Sequence, residues 1–195
     1  MSLEVTSMAI QVHGGMGFIE ETGVAQYYRD AKILTIYEGT TAIQANDLIG
    51  RKTLRDKGRT AQAIAAQIAQ TESDLQSSGT ADALAVAQRL HSARKAFLDV
   101  VQFMLDHAKS QPNHAFAGSV PYLMLAGNLV AGWQMGRALL VAQALQKTGN
   151  DPAFMQAKIT TARFYADHIL NKTSSLRDSI VEGAHSVTAL SLDAF

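Results

Sequence analysis

From about residue 40 onward the chain contains no run in which Val, Ile, Thr and aromatic residues alternate between two turns, which is the pattern of a β-strand. Apolar residues recur there at intervals of three or four positions, as on one face of an α-helix. The chain therefore has to bury its apolar surface by packing helices on helices. We predict an all-α fold, an up-and-down helical bundle with an amino-terminal helical arm.

The bundle is predicted to contain four or five helices, bounded by residues that start and stop helices. They cover residues 60 to about 77, 80–107, 119–147, 151–169 and 174–182. Ser119 and Asp151 are the predicted caps of the third and fourth helices, and each is followed within two residues by a proline in the first helical turn.

The third predicted helix is apolar nearly all round, which is typical of a helix in the middle of a bundle. Gly127, Gly132 and Gly136 lie on it. Because each glycine costs up to ~1 kcal/mol of helix propensity, we expect neighbouring helices to approach closely at these positions. Arg137 lies near the middle of this apolar stretch, where it costs roughly 2.5–3.5 kcal/mol in a bilayer. We therefore expect a core helix and no membrane span.

The composition excludes several classes of function. Seventeen basic and seventeen acidic residues balance, and no segment is rich enough in Lys and Arg to predict a nucleic-acid partner. The lack of cysteine excludes disulfides and thiol chemistry and fits a reducing compartment, so a cytoplasmic protein is expected. The histidines lack the spacing of a metal site, so no metal is predicted; they include His91, His107, His114 and His168.

Three short blocks near the amino terminus carry the residues that could do chemistry. The first, Gln11-Val12-His13-Gly14-Gly15-Met16-Gly17-Phe18, is a glycine-rich turn. Such a turn exposes backbone N–H groups and can hold a phosphate, but on physical grounds alone a simple break between two helices is favoured. The second, Tyr28-Arg29-Asp30-Ala31-Lys32, contains a charged pair for which an internal salt link is expected.

The third block, Ile36-Tyr37-Glu38-Gly39-Thr40-Thr41-Ala42-Ile43-Gln44, places a carboxylate between aromatic residues and a glycine. If Glu38 is partly desolvated, its pKa rises towards the range in which a carboxylate acts as a base. An exposed Glu that caps a helix is an equally good interpretation of these residues alone.

Taken together and in this order, the three blocks closely resemble the carboxyl-terminal helical domain of acyl-CoA dehydrogenases over residues 4–52. The resemblance implies that Glu38 removes the α-proton of an acyl-CoA thioester while the β-hydrogen leaves as hydride to FAD. It also implies that Gly39 contacts substrate and that Thr40 and Thr41 contact the flavin. The residues implied to touch the FAD of a neighbouring subunit are Gln11, Val12, His13, Gly14 and Gly15.

Glu38 places the chain with the short- and medium-chain arrangement of the family, because other branches carry the base on another helix. Ala42 departs from several relatives, which have a Gln that helps to hold flavin. The resemblance further implies an acyl-CoA substrate, an electron-transfer flavoprotein or similar acceptor, and a homo-oligomer. Arg29 and Asp30 are expected to be structural.

The rest of the chain resembles, more weakly, the additional carboxyl-terminal domain of larger bacterial members, the methylthiopropanoyl-CoA dehydrogenases among them. The predicted domains are therefore residues 1–55, the end of the family's carboxyl-terminal helical domain, and 56–195, the additional bundle. Since nothing in the sequence builds the flavin-seating β domain of the family, we expect a fragment that is inactive by itself. The alternatives are a helical interaction module without chemistry and a stand-alone acyl-binding protein.

Overall fold

The computed structural model describes residues 2–149 and 151–194, the side chain of Leu192 excepted. In these residues every regular element is a helix and no strand occurs, which confirms the predicted all-α class. The chain divides into two compact units, Met1–Gln44 and Ala45–Phe195.

The first unit is a small helical hairpin. Its helices are α1 (Ser2–Val12), α2 (Gly15–Phe18) and α3 (Val24–Ile33), and α4 (Thr41–Asp47) begins at its end. Helix α1 packs on α3, and the short α2 packs on both. Gly17 makes that packing possible, because a Cβ atom there would lie 2.2 Å from the carbonyl oxygen of Ile10.

The second unit contains the hydrophobic core. It begins with a π-helical segment, Leu48–Thr53, and continues with α5 (Arg59–Ser78), α6 (Ala81–His107), α7 (Pro112–Ala117), α8 (Ser119–Lys147), α9 (Pro152–Tyr165), a second π-helical segment (Ala166–Leu170), α10 (Lys172–Val181) and α11 (Ala184–Val187). Short connections make α5 and α6, and likewise α8 and α9, neighbours in space. Helices α6 and α8 pack on each other and both contact α10, so these two long helices are the centre of the bundle.

Two of the three glycines of α8 have the predicted packing role. A Cβ atom at Gly132 would lie 2.5 Å from the side chain of Leu170, and one at Gly136 would lie 3.2 Å from that of Leu75. The prediction is wrong for Gly127, which is exposed and has no atom within 4 Å of the same position. Among these three glycines, close approach therefore occurs at Gly132 and Gly136, near the middle of α8.

The predicted helix caps are correct at one helix and wrong at another. The Asp151 carboxylate accepts a hydrogen bond of 3.2 Å from the backbone N–H of Phe154 and caps α9 as predicted. Ser119 is instead the first residue of α8, after Gly118, and no side chain caps this helix. Ser119 is buried and takes the first helical position, whereas a capping side chain belongs to the residue before it, here Gly118.

In the part of the chain that the structure describes, no helix combines the length and the hydrophobicity that crossing a bilayer requires. This applies to α8 as well, in spite of its apolar composition, because polar residues interrupt it.

Candidate functional site

The turn between α3 and α4 holds Glu38 in a left-handed backbone conformation. Its φ is 53°, and that of the following Gly39 is 89°. An L-residue pays roughly 1–2 kcal/mol for this conformation, so other contacts must maintain it. The turn changes the direction of the chain sharply and presents the Glu38 side chain to the solvent.

Gln44 is the residue that stabilises this turn. Its side-chain N–H donates a hydrogen bond of 2.7 Å to the backbone carbonyl of Glu38. Thr40 closes the turn from the other side: its carbonyl accepts the N–H of Gln44 at 3.0 Å, and its hydroxyl accepts the N–H of Ile43 at 3.4 Å. Gln44 is the last residue of the third block, and its role as a hydrogen-bond donor could not be predicted from the sequence.

The backbone N–H of Glu38 has no hydrogen-bond acceptor among the residues that the structure describes. Its side chain is exposed as well, which agrees with the exposed alternative and not with partial desolvation. Glu38 therefore offers a carboxylate acceptor and a free backbone donor within one turn.

The glycine-rich turn lies between α1 and α2. Gly14 has a φ of 59°, a conformation that favours glycine, and a Cβ atom at either Gly14 or Gly15 would meet nothing within 4 Å. Gln11, Val12 and His13 are exposed. A ligand can approach this backbone without obstruction, whereas the buried Gly17 has a packing role. The structural role expected of this cluster is thus seen at Gly17, and phosphate binding at Gly14 and Gly15 stays a prediction.

The two predicted parts of the site lie at opposite ends of α3. The hydroxyl of Thr22 donates a hydrogen bond of 2.7 Å to the carbonyl of Met16 in α2, so α3 starts beside the glycine turn and then runs back along α1. Glu38 follows its far end. A helix of ten residues is about 15 Å long, so α3 keeps the two parts of the site apart.

Arg29 and Asp30 are connected through a third residue. Arg29 donates two hydrogen bonds, of 2.6 and 3.1 Å, to the side-chain oxygen of Gln26, which itself donates to Asp30 at 2.7 Å. Arg29 also lies 3.6 Å from Glu20 at the start of the hairpin turn. These contacts are local and exposed, so their role is to support α3.

The histidines make contacts of the structural kind. His91 contacts the buried Glu72 at 3.1 Å, His107 bonds the carbonyl of Phe103, and His114 bonds Thr188. Within residues 2–149 and 151–194, no three His, Cys, Asp or Glu side chains come together as metal ligands would.

The residues assigned to FAD by resemblance have suitable chemistry for it. The unobstructed backbone at Gly14 and Gly15 allows a phosphate-bearing or flat group to come close. Thr40 and Thr41 lie next to Glu38 at the start of α4 and can offer hydroxyl groups to a ring edge. Nothing in this geometry conflicts with a flavin, and the assignment of these residues stays a prediction.

Two models of protein families match the sequence of the chain. The family model described as "Acyl-CoA dehydrogenase, C-terminal domain" matches residues 1–53, and the one described as "Acetyl-CoA dehydrogenase C-terminal like" matches residues 60–191. The chain belongs to the acyl-CoA dehydrogenase family. The predicted boundary between residues 55 and 56 stays a prediction.

Individual acyl-CoA dehydrogenases resemble the chain over most of its length. It is 54% identical to the 3-methylmercaptopropionyl-CoA dehydrogenase of Ruegeria pomeroyi, over 98% of this chain and 32% of that protein. It is 34% identical to a broad-specificity linear acyl-CoA dehydrogenase of Mycobacterium tuberculosis, over 88% of this chain and 29% of that protein.

A third relative shares a shorter stretch. The caffeyl-CoA reductase-Etf complex subunit CarC of Acetobacterium woodii is 49% identical over 21% of this chain and 11% of that protein. The chain thus spans about a third or less of the length of the curated relatives it matches.

Proposed function

We propose that this chain is the base-bearing carboxyl-terminal part of a flavin-dependent acyl-CoA dehydrogenase, which converts an acyl-CoA thioester into the 2-enoyl-CoA. The observation that carries the proposal is the turn at Glu38, where one residue has an exposed carboxylate and a backbone N–H without an acceptor among the described residues. The family membership of the chain supports it.

The two groups of Glu38 match the two needs of the first chemical step. The α-proton of a thioester is only weakly acidic, so its removal requires a base and stabilisation of the enolate oxygen that develops. The carboxylate of Glu38 takes the proton, and its N–H donates a hydrogen bond to the thioester oxygen. FAD, when bound, supplies the acceptor for the β-hydrogen as hydride. Gly39 then lies against the substrate, because it follows Glu38 directly.

The exposed state of Glu38 means that the assembled enzyme has to cover this turn. A carboxylate becomes a stronger base when water is excluded from it. Substrate and cofactor bound over Glu38, Thr40 and Thr41 exclude that water. The isolated chain is therefore expected to be inactive and to hold FAD weakly. A flavin absorption band together with acyl-CoA-dependent dye reduction by the purified 195-residue chain would contradict this part of the proposal.

The experiment that tests the proposal is the substitution Glu38→Gln in the full-length enzyme. Gln keeps the size of the side chain but cannot accept the proton, so turnover should fall by about 10²–10⁴-fold, the usual contribution of a positioned base. Glu21→Gln, an exposed residue of the same unit, is the matched control and should keep full activity. Normal turnover by Glu38→Gln at unchanged FAD content would refute the role of Glu38.

The name of the 54% identical relative suggests which substrate to try first. We infer a short, sulfur-bearing acyl-CoA of the 3-methylmercaptopropionyl type, with butyryl-CoA as the comparison substrate of similar length. The name of the relative from A. woodii supports an electron-transfer flavoprotein as the electron acceptor. The absence of cysteine supports a cytoplasmic location.

A second function, that of an oligomerisation module without chemistry, is favoured by the surface of Met1–Gln44. Large apolar side chains are exposed there in unusual number: Val5, Met8, Val12, Met16, Phe18, Ile19, Tyr27, Ile33, Leu34, Ile36, Tyr37 and Ile43. A large exposed apolar surface of this kind is typical of a protein–protein interface. Sedimentation at several concentrations tests the idea: a dimer that Phe18→Ser weakens supports it, and a strict monomer contradicts it.

A further inference from the structure

The second unit contains an apolar cavity that is not part of the Glu38 turn. It has a volume of about 220 Å³ and lies between the first π-helical segment, the start of α5, and helices α6 and α8. Its apolar wall consists of Leu48, Ala61, Ile64, Phe97, Ala126, Leu129 and Val130. A cavity of this size accepts a short hydrocarbon group but is smaller than a typical drug-sized pocket of about 300–1,000 Å³.

One end of the cavity is polar and its hydrogen bonds are incomplete. The hydroxyl groups of Thr53 and Tyr122 lie 2.9 Å apart, so only one of their two hydrogens is used between them. Burial raises the pKa of Tyr122, which keeps its hydroxyl protonated. The Asp56 Oδ1 atom is buried and has no hydrogen-bond partner among the described residues. An unpaired buried acceptor is costly, so a donor that reached this atom would stabilise the site.

A basic cleft adjoins this polar end. Its volume is about 310 Å³, and Arg51, Lys52, Arg55, Asp56, Arg59 and Thr60 line it. Lys52, Asp56 and Thr60 line the cavity as well, so the two spaces adjoin at these residues.

The charge of the cleft is not neutralised. Arg51 and Lys52 lie 3.2 and 3.6 Å from the same carboxylate, that of Asp47. Arg59 uses its Nε to donate to a backbone carbonyl, and Arg55 has no ion-pair or hydrogen-bond partner among residues 2–149 and 151–194. Four cations are therefore near only two described carboxylates, those of Asp47 and Asp56. Hydrogen bonds from Thr60 lower the pKa of Asp56. The cleft keeps an excess of positive charge.

We propose that the cavity and the cleft together bind a small phosphorylated amphiphile. Its apolar part, the length of a short alkyl chain, fills the cavity between α6 and α8. Its phosphate lies on the guanidinium groups of Arg51, Arg55 and Arg59, which match phosphate oxygens in geometry and charge. A hydroxyl or amide N–H of the ligand, near the phosphate, donates to Asp56 Oδ1. This site does not depend on Glu38 or on the proposed dehydrogenase activity.

The test is calorimetric titration of the 195-residue chain with three probes: hexyl phosphate, 1-hexanol and inorganic phosphate. Hexyl phosphate should bind at least about tenfold more tightly than either of the other two, because only it occupies both spaces. Its affinity should fall as salt is added. Equal affinity for inorganic phosphate means a simple anion-binding surface, and equal affinity for hexanol means a simple apolar pocket; either result overturns the proposal, as does the absence of binding.

Substitutions in the cavity and in the cleft test where the ligand binds. Arg55→Gln should weaken hexyl phosphate binding by about fivefold, the effect of one surface cation. Ala126→Phe fills the cavity and should abolish binding; if it fails to fold, as judged by helical circular dichroism, Val130→Trp at the partly exposed edge replaces it. Lys147→Gln, a cation outside both spaces, is the control and should bind normally. Unchanged affinity in the Arg55 variant and in a folded cavity variant would contradict the proposed site.

Discussion

At the residue scale, the functional proposal depends on how one turn holds Glu38. In its left-handed backbone conformation the N–H has no acceptor in the part of the chain that the structure describes, and the carbonyl accepts a hydrogen bond of 2.7 Å from the side chain of Gln44. Gln44 touches neither substrate nor cofactor in the proposal. It is a positioning residue, because it acts through the conformation of Glu38.

Gln44→Ala should therefore impair catalysis more than substrate binding. In the FAD-loaded full-length enzyme we expect kcat to fall by about tenfold, since loss of one such hydrogen bond costs about 1 kcal/mol or slightly more, while KM changes by less than twofold. Steady-state kinetics measure both. Gln26→Ala, which removes contacts of Arg29 and Asp30 only, is the control. A change in KM alone would show that Gln44 acts elsewhere.

Single residues can be predicted from the sequence where a local motif contains them, but not where only the fold brings them together. Glu38 and the glycine turn could be found because their neighbours in sequence form recognisable blocks. The Thr53–Tyr122 contact joins residues 69 positions apart, and no local sequence pattern predicts it. The basic cleft was missed because balanced charge over the whole chain hid the local excess of Arg and Lys at residues 51–59.

At the element scale, α8 offers a matched pair of glycine substitutions. Gly132→Ala should destabilise the protein by about 1–3 kcal/mol, because the new methyl group meets Leu170 in a filled core. Gly127→Ala should stabilise it by up to ~1 kcal/mol, because that position is open and Ala is the better helix former. Urea unfolding followed by circular dichroism gives both values. Equal effects of the two substitutions would contradict the described packing of α8.

The long helices were predictable because periodicity repeats over many turns, and α5, α6, α8 and α9 begin and end within a few residues of the expected positions. Local irregularities in the helices could not be predicted. The continuation of α9 as a π-helical segment, Ala166–Leu170, has no sequence signal of its own, and Leu170 within it packs against Gly132. Tertiary packing decides such details, as it does at Ser119.

At the scale of the whole molecule, the two compact units differ in how much apolar surface they bury. The core cluster consists of residues from Ile49 to Ala184, all in the second unit. Among residues 2–44, the buried ones are Gly17, Val24 and Ala31. The second unit therefore has what independent folding requires, and the first does not.

Residues 45–195 produced alone should fold. We expect helical circular dichroism and a single cooperative thermal transition, close to that of the entire chain, because the core is intact. Residues 1–44 alone should show little helix, since short hairpins without a core are marginal in water. A non-cooperative transition in 45–195, or a stable fold in 1–44, would contradict this division of the core.

The role of Glu38 as the base is tested most directly by measuring removal of the α-proton separately from the rest of the reaction. An acyl-CoA with sulfur in place of the β-carbon has no β-hydrogen to transfer, so only the α-proton can exchange. In D2O, mass spectrometry should detect uptake of deuterium at the α-carbon with the full-length, FAD-loaded enzyme and virtually none with Glu38→Gln. Equal exchange by the two proteins would mean that another group is the base.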